Sequence, residues 1–198
     1  MILRRIIKSY SPIGLLRLIR DLLYTKIFCR PARIVRLPVY IRSNIKFKYG
    51  VNFTSGVGLR IDIISDNAKL FFGNNVQIND YCHIGVFEKV VIGDRTIIGS
   101  KVLIMDHNHG IFSKPCPESS PFISPIERPI ESSPVNIGKN VWIGENVMIL
   151  PGTKIGDGCI ISAGSVVSGH FPNNTVISGN PGRVKMEYNF KKQIWELV

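Results

Sequence analysis

Six consecutive hexapeptides, each opening with an aliphatic residue, fill residues 137–172 and read IGKNVW, IGENVM, ILPGTK, IGDGCI, ISAGSV and VSGHFP. A six-residue period fits neither an α-helix, with about 3.6 residues per turn, nor a strand that reverses in a hairpin. It is typical of a parallel β-helix, in which short strands alternate with turns and each coil stacks on the previous one. The segment therefore predicts an all-β fold.

A second block of repeats lies upstream, with FGNNVQ and INDYCH at 72–83 and IGDRTI, IGSKVL and IMDHNH at 92–109. Three hexapeptides make one triangular coil, so residues three hexapeptides apart stack in neighbouring coils. The predicted stacked pairs are Ile137 with Ile155, Ile143 with Ile161, and Ile149 with Val167. The fifth hexapeptide position holds small residues suited to a tight inward corner, among them Val76, Cys82, Val141, Val147, Thr153, Cys159 and Ser165. We interpret the two cysteines of this set as core residues.

The charge distribution indicates a basic arm attached to a neutral domain. Residues 1–50 hold 12 Lys and Arg against one acid, Asp21, for a net charge of +11, whereas residues 51–198 balance to zero. A charge excess confined to one end does not indicate nucleic-acid binding by the domain. The 4 cysteines form no CxxC pair and no Cys/His cluster. We therefore expect no disulfide framework and no bound metal.

The arm contains one candidate helix, from Ile13 to Phe28. Its apolar residues recur at helical spacing between basic ones: Leu15, Leu18, Ile19, Leu22, Leu23 and Ile27. This amphipathic pattern leaves two alternatives open, docking on the domain or a neighbouring subunit, and peripheral contact with an anionic membrane surface. The uncharged stretch Ser9–Leu16 is too short for a membrane span or a signal-peptide core. We predict a cytoplasmic protein, with the inner face of the cytoplasmic membrane as the alternative location.

A segment without repeats, Gly110–Pro134, interrupts the hexapeptides and carries six of the 12 prolines. Long loops inside compact domains are typical of functional segments. This loop directly follows Asp106-His107-Asn108-His109, where two of the 4 histidines meet. We therefore divide the chain into an arm (1–50), a β-helix domain (51–170, with the loop at 110–134) and a carboxyl-terminal cap (171–198).

The stretch 135–184, VNIGKNVWIGENVMILPGTKIGDGCIISAGSVVSGHFPNNTVISGNPGRV, resembles the carboxyl-terminal signature of the hexapeptide-repeat acyltransferases. The similarity is to the branch that contains the galactoside and maltose O-acetyltransferases and many polysaccharide O-acetyltransferases, and it covers about residues 60–185. The resemblance implies a left-handed parallel β-helix, acetyl-CoA as co-substrate, and a homotrimer with active sites between subunits. In the family, a loop leaves the β-helix here toward a neighbouring subunit, and the histidine at its root is the general base.

The resemblance also assigns candidate catalytic residues. An ungapped register of the repeats at 92–109 puts His109 on the family's catalytic histidine and turns Asn108 inward. Because loop spacing varies within the family at this point, His107 is the alternative base, and an ordinary turn histidine is the remaining interpretation. Asn79 matches a family asparagine that orients the acceptor hydroxyl. The remaining acceptor-side candidates are Ser65, which matches a sugar contact, and Asp106 or Glu127, which would orient the histidine.

Coenzyme A is long and anionic, so its site needs an apolar groove and basic residues for the phosphates. The resemblance places this site along the edge of the β-helix. Its candidates are Trp142 beside the thioester, Gly144 and Glu145 as backbone donors to the oxyanion, Ala163, Gly164 and Ser168 along the pantetheine and adenine path, and Arg183 with Lys185 at the phosphates.

These features predict an acetyl-CoA-dependent O-acetyltransferase in which a sugar hydroxyl attacks the thioester directly, with a histidine as general base. The resemblance and the basic arm favour a unit of a bacterial surface polysaccharide, lipid-linked or polymeric, as the acceptor. Three alternatives remain open. The first is an N-acetyltransferase of an amino sugar or nucleotide-linked sugar, and the second is a metal hydratase similar to the γ-class carbonic anhydrases, which share the β-helix and bind zinc with three histidines. The third is a scaffold without catalytic activity.

Overall fold

A computed structural model describes residues 10–43, 45 and 47–198. This part of the chain contains one α-helix, α1 (Pro12–Phe28), whose amino terminus is capped by Ser11: its side chain accepts a hydrogen bond from the N–H of Gly14 at 3.1 Å. No helix in the described ranges is long and apolar enough to cross a membrane. The charged start of the arm, Met1–Lys8, lies outside the described residues.

Most of the remaining chain winds through three sheets, which we call A, B and C. Sheet A contains β1 (Ile34–Val35), β4 (Thr54–Ser55), β7 (Gln77–Ile78), β10 (Ile97–Ile98), β15 (Trp142–Ile143), β18 (Ile160–Ile161), β21 (Thr175–Ser178), β22 (Arg183–Asn189) and β23 (Ile194–Leu197). Sheet B contains β2 (Val39–Arg42), β5 (Leu59–Ile63), β8 (His83–Val86), β11 (Leu103–Met105), β16 (Met148–Ile149) and β19 (Val166–Val167). Sheet C contains β3 (Lys48–Tyr49), β6 (Lys69–Phe72), β9 (Lys89–Ile92), β14 (Val135–Ile137), β17 (Lys154–Ile155) and β20 (His170–Phe171).

The chain visits the sheets in the repeating order A, B, C, and consecutive coils pair in parallel. The predicted stacked pairs are confirmed, because Ile137, Ile143 and Ile149 lie directly beside Ile155, Ile161 and Val167 in neighbouring strands. All six side chains are buried. The interior is thus a set of aliphatic ladders, and the predicted parallel β-helix is confirmed; the architecture agrees with left-handed winding.

The small residues predicted at the inward corners are buried, including Cys82 and Cys159. Burial away from solvent raises the pKa of the Cys82 thiol to about 11. This environment fits the predicted packing role, because the thiolate is the reactive form of cysteine.

Coil stacking explains the glycine at the corner between sheets A and B. A Cβ atom on Gly144 would lie 2.5 Å from the backbone nitrogen of Ala163 in the next coil, closer than carbon and nitrogen can approach. Two residues later, Asn146 has a φ of 55°, in the left-handed region that Asn tolerates better than most residues. The close packing of tight turns in neighbouring coils therefore explains the repeated pattern I-G-x-N.

The β-helix is longer than the predicted domain 51–170. Strands β1, β2 and β3 already form a coil within the segment assigned to the arm, and β21 continues sheet A to Ser178. Beyond β21, strands β22 and β23 leave the winding as antiparallel strands added to the edge of sheet A. The predicted boundaries are wrong because the first and last coils lack clear hexapeptides, and there backbone pairing with the adjacent coil sets the strands.

Helix α1 docks on the first coil through its polar side. The hydroxyl of Thr25 accepts the N–H of Val35 at 2.8 Å, and the carboxylate of Asp21 accepts the N–H of Leu37 at 3.3 Å. Both side chains are buried. Most of the apolar stripe predicted from the sequence instead faces solvent: Ile19, Leu22, Leu23 and Ile27, together with Ile13 and Leu16.

Candidate active site

The corner between sheets A and B, called the AB corner here, carries a groove that brings four of the eight predicted cofactor residues together with Asn79, one of the predicted acceptor residues. The groove encloses about 460 Å³. Its lining includes Asn79, Trp142, Gly144, Glu145 and Ala163. Trp142 projects outward from β15 and is 57% exposed, as a side chain that covers a bound molecule would be. Asn79 thus lies at the same groove as the residues that the resemblance assigns to coenzyme A.

The two predicted backbone donors differ. The N–H of Gly144 donates to the carbonyl of Ile161 at 2.8 Å and is already satisfied. The N–H of Glu145 has no acceptor among the described residues. At equivalent turns the next coil supplies one: Asp157 accepts the N–H of Lys139 at 2.7 Å. Above Glu145 the next coil presents Ala163, whose side chain cannot accept a hydrogen bond, so the N–H of Glu145 stays free at the groove.

Asn79 is oriented by a neighbour that the sequence analysis did not identify. The side-chain amide of Gln77 donates to the Oδ1 of Asn79 at 3.1 Å. This contact leaves the amide nitrogen of Asn79 free to donate. In the sequence, the signal is that Gln77 and Asn79 are two residues apart, which places both side-chain amides on the outward side of β7 and its continuation.

The AB corner also leads to the predicted phosphate-binding residue. The corner residues Asn79, Gly99, Gly144 and Ser162 lie in successive coils, because each donates its N–H to the strand of the next. Ser178 follows in the next coil and pairs with Arg183. Arg183 lies on the strand beyond Ser178, so five strand spacings of about 4.8 Å put it about 24 Å along the axis from Asn79. A long, anionic substrate could therefore run along one edge.

The other predicted residues are divided between this edge and the next corner of the β-helix. Lys185 is an exposed residue of β22, and Gly164 lies at the AB corner with a φ of 72° and open space where a side chain would stand. Ser65 and Ser168 follow strands of sheet B and lie at the corner between sheets B and C, which we call the BC corner. Ser65 caps a turn there, since its hydroxyl accepts the N–H of Asn67 at 3.3 Å.

The two candidate histidines lie at the BC corner, at the root of the loop. The loop begins as a hairpin of β12 (His107–His109) and β13 (Ile130–Ser132), and its outer part includes a 3₁₀ turn (Pro117–Ser119). His107 is buried, whereas His109 is exposed. The prediction that Asn108 turns inward is wrong. The chain leaves the coil after β11, so Asp106 takes the inward position and Asn108 is exposed.

Asp106 anchors the root of this loop. Its buried carboxylate accepts the backbone N–H groups of Phe87, Glu88 and Lys89 at 2.8, 2.8 and 2.7 Å. It also lies 3.0 Å from the Nδ1 of His107. Burial acts to raise the pKa of Asp106, but these hydrogen bonds outweigh it and hold the pKa below its usual value. Asp106 therefore orients His107 and not His109, and Glu127 is an exposed residue farther along the loop.

The candidate residues of one chain form two groups at different corners. No residue of the loop lines the AB groove. Asn79, Trp142 and the free N–H of Glu145 face one corner, while His109 projects from another. A single copy of the chain therefore does not bring the predicted catalytic residues together.

The remaining titratable cluster lies outside both groups. On sheet B, Asp62 contacts the Nε2 of His83 at 2.9 Å, Arg60 at 2.7 Å and Arg42 at 2.9 Å. Within the part of the chain that the structure describes, no three His, Cys, Asp or Glu residues converge to hold a metal ion.

Comparison with known proteins identifies relatives of the chain. A family model described as "Bacterial transferase hexapeptide (six repeats)" matches residues 134–169. The chain is 51% identical over 192 residues to WbbJ of Escherichia coli strain K12, named for O-acetyl transfer in lipopolysaccharide biosynthesis, with 97% of each chain covered. It is 34% identical over 125 residues to the galactoside O-acetyltransferase of the same organism, covering 63% of this chain and 57% of that relative.

Solved structures agree with these relatives. A galactoside acetyltransferase in complex with coenzyme A superposes with a TM-score of 0.52 at 26% identity, covering 96% of this chain and 78% of the other. AntD, an N-acyltransferase from Bacillus cereus, shares the fold with a TM-score of 0.65 at 19% identity, covering 77% and 79% of the two chains. Because the match to WbbJ spans nearly the whole of both chains, and the central coils carry the hexapeptide period, the chain belongs to the hexapeptide-repeat acyltransferases.

Proposed function

We propose that the protein transfers the acetyl group of acetyl-CoA to a hydroxyl of a sugar, with His109 as the general base. The observation that carries this proposal is the AB groove, where an acceptor-orienting amide and a free backbone N–H lie beside an exposed tryptophan. The full-length similarity to a relative named for O-acetyl transfer in lipopolysaccharide biosynthesis supports a surface-polysaccharide unit as the acceptor. Acetyl-CoA and the sugar are both substrates in this reaction.

In the proposed reaction, the imidazole of His109 accepts the proton of the sugar hydroxyl while its oxygen attacks the carbonyl carbon of the thioester. Asn79 holds the attacking hydroxyl. The N–H of Glu145 donates to the oxyanion that develops on the carbonyl oxygen. The carbon–sulfur bond then breaks, and the thiolate of CoA takes the proton from the imidazolium. The products are the acetylated sugar and CoA, without a covalent acetyl-enzyme.

The two-corner arrangement supports a homotrimer in which the loop of one copy reaches the AB groove of the next. Two apolar side chains near the tip of the loop, Phe122 and Ile126, are 97% and 84% exposed. Two large apolar side chains exposed on one loop mark a candidate contact surface, which a neighbouring subunit would cover. Each active site would then take His109 from one copy and Asn79 from another.

Mixing two inactive variants tests this shared site. His109→Ala and Asn79→Ala each lose activity, but random assembly of equal amounts gives some sites both native residues. About one quarter of the sites would be intact, so about one quarter of the wild-type activity should return. If both residues acted within one copy, the mixture would stay inactive.

The assignment of the base is tested by two histidine variants. We expect His109→Ala to form the same oligomer and to bind CoA normally while acetyl transfer falls at least about 100-fold. His107→Gln preserves a hydrogen bond to Asp106 and should keep the turnover number within about threefold. A full loss in His107→Gln with retained turnover in His109→Ala would move the base to His107. A labelled acetyl group from acetyl-CoA, followed into a panel of hydroxyl and amino sugars, separates O- from N-acetylation.

We further propose that the enzyme works in the cytoplasm, with α1 in peripheral contact with an anionic membrane. Leu16 and Ile27, on the outward side of α1, are both 67% exposed, and Arg17 and Lys26 flank them. A helix of this kind gains apolar burial and charge attraction at an anionic bilayer. A second copy of the same basic helix would meet it with like charge, which disfavours pairing of these helices.

Sedimentation with vesicles tests the contact. Wild-type protein should bind phosphatidylcholine vesicles that contain phosphatidylglycerol and not vesicles of phosphatidylcholine alone. The double variant Leu16→Ser, Leu23→Ser should bind at least about tenfold more weakly. Leu197→Ser, which alters an 83% exposed leucine of β23, is the matched control and should bind normally. Dissociation of the oligomer in the helix variant would assign this face to a subunit contact instead.

A further inference from the structure

Asn79 lies between two depressions of the surface. One is the AB groove, which leads toward Trp142 and Ala163. The other encloses about 470 Å³ between sheet A and α1. The second depression is lined by polar residues of the first coils and by two leucines of the helix, among them Tyr10, Leu18, Leu22, Arg33, Arg36 and Gln77. If the thioester lies in the AB groove, the rest of the acceptor extends into this second depression.

Two guanidinium groups in the second depression have no carboxylate partner. Arg36 is partly buried, and the bond that its side chain makes is to the hydroxyl of Tyr10 at 3.1 Å. Arg33 is exposed and forms no ion pair with any described residue. The residues that the structure does not describe, 1–9, 44 and 46, contain no Asp or Glu. Neither arginine can therefore be neutralised by an acid from those segments of its own chain.

One acidic residue, Asp80, lines the same depression, but its carboxylate is hydrogen-bonded to the backbone of the preceding coil. Asp80 accepts the N–H of Val57 at 2.8 Å, where it caps the turn of the preceding coil. The depression therefore presents two guanidinium groups, the amides of Gln77 and Asn79, and one carboxylate whose Oδ1 is already hydrogen-bonded, with an excess of positive charge. Guanidinium groups of this kind match the fork geometry of phosphate oxygens, and amides match sugar hydroxyls.

We infer that the acceptor sugar carries a phosphate or diphosphate, which Arg33 and Arg36 bind while Asn79 presents the sugar hydroxyl to the thioester. This inference rests on the proposed acetyltransferase function and specifies its substrate class. Acetyl transfer leaves the phosphate group unchanged, so the arginines bind and position the substrate without taking part in bond making.

The diphosphate could come from a nucleotide-linked or a lipid-linked sugar. Both share the chemistry that the two arginines recognise. Leu18 and Leu22 form an apolar wall on the helix side of the depression, so a lipid-linked acceptor would place its chain against them. Probes with the two kinds of tail can distinguish these sources.

Calorimetric titration at saturating CoA tests the inference, because the phosphates of CoA then occupy their own site. The probes are inorganic pyrophosphate, UDP and farnesyl diphosphate. We expect wild-type protein to bind pyrophosphate, and the variant Arg33→Gln, Arg36→Gln to lose affinity by at least about tenfold. Arg36→Lys, which keeps the charge but loses the fork geometry, should bind more weakly than the wild type and more tightly than the double variant. Arg17→Gln removes a charge from the exposed side of α1, outside the depression, and should bind as the wild type does. A preference for farnesyl diphosphate over UDP identifies a lipid-linked acceptor, and the reverse identifies a nucleotide-linked one.

Two results would overturn the inference. One is equal pyrophosphate binding, or none, in the wild type and the double arginine variant. The other is a loss of CoA affinity in that variant, because the arginines would then belong to the cofactor site. The proposed acetyl transfer is judged separately by His109→Ala. If the titration fails while the enzyme is active and depends on His109, the inference of a phosphorylated acceptor is wrong and the proposed acetyltransferase function still stands.

Discussion

Replacing Asp106 by Asn should destabilise the root of the loop at 110–134 by about 3 kcal/mol. In the native protein, one carboxylate oxygen accepts the N–H of Phe87 and contacts His107, and the other accepts the N–H groups of Glu88 and Lys89. An asparagine can keep the second oxygen, but its amide group then faces the N–H of Phe87, donor against donor. An unsatisfied buried donor costs about 1–3 kcal/mol, and the two bonds that remain lose the strengthening of a charged acceptor.

Denaturant unfolding followed by circular dichroism, at a fixed protomer concentration, measures this loss. Asp66→Asn, the same substitution at an exposed turn residue, is the control and should change stability by less than about 0.5 kcal/mol. The contribution of Asp106 depends on pH in a defined direction. Its folded pKa is lowered, so the stabilisation is fully present above the unfolded pKa of about 3.9 and is lost as the pH falls through the lower folded value.

The difference between the wild type and Asp106→Asn should thus be constant from pH 8 to about pH 5 and shrink in more acidic solution. The turnover number should fall because the loop that carries His109 is displaced, while CoA binding at the AB groove is retained. A stability loss below about 1 kcal/mol, or a difference that disappears between pH 5 and pH 8, would refute the anchoring role of the carboxylate.

Two further predictions concern the free N–H and the buried thiols. Glu145→Pro removes the unpaired N–H, at a turn position where an equivalent turn of the chain already has Pro151. This variant should lower the turnover number about 100-fold or more, whereas Glu145→Ala should change it less than about threefold. Ser100→Pro makes the same change one coil away, outside the AB groove, and equal losses in both proline variants would point to a backbone effect instead. In native protein at pH 8, Cys82, with a pKa of about 11, should resist alkylation, while the partly exposed Cys116 should react, as mass spectrometry can determine. Rapid labelling of Cys82 in folded protein would contradict its assigned place in the core.

The hexapeptide period determined the fold from local information. Ile143 and Ile161 could be paired across coils because strict periodicity fixes which residues lie one coil apart, and the buried Cys159 followed from the same spacing. The period weakens in the first and last coils, where β1 pairs with β4 at a separation of 20 residues and β21 with β18 at 16 residues, instead of the regular 18. The boundaries at 50 and 170 were wrong for that reason.

The sequence by itself thus determined the winding, the inward ladders and the candidate residues near Asn79 and His109. Only the tertiary structure decided that Gly144 is satisfied while Glu145 is not, that His109 lies at a different corner from Asn79, and that α1 docks by its polar side. Each of these facts depends on which atoms of the folded chain lie next to the backbone group, side chain or helix face in question. Hydrogen-bond partners and burial are set by contacts between distant parts of the chain, and a local repeat does not encode them.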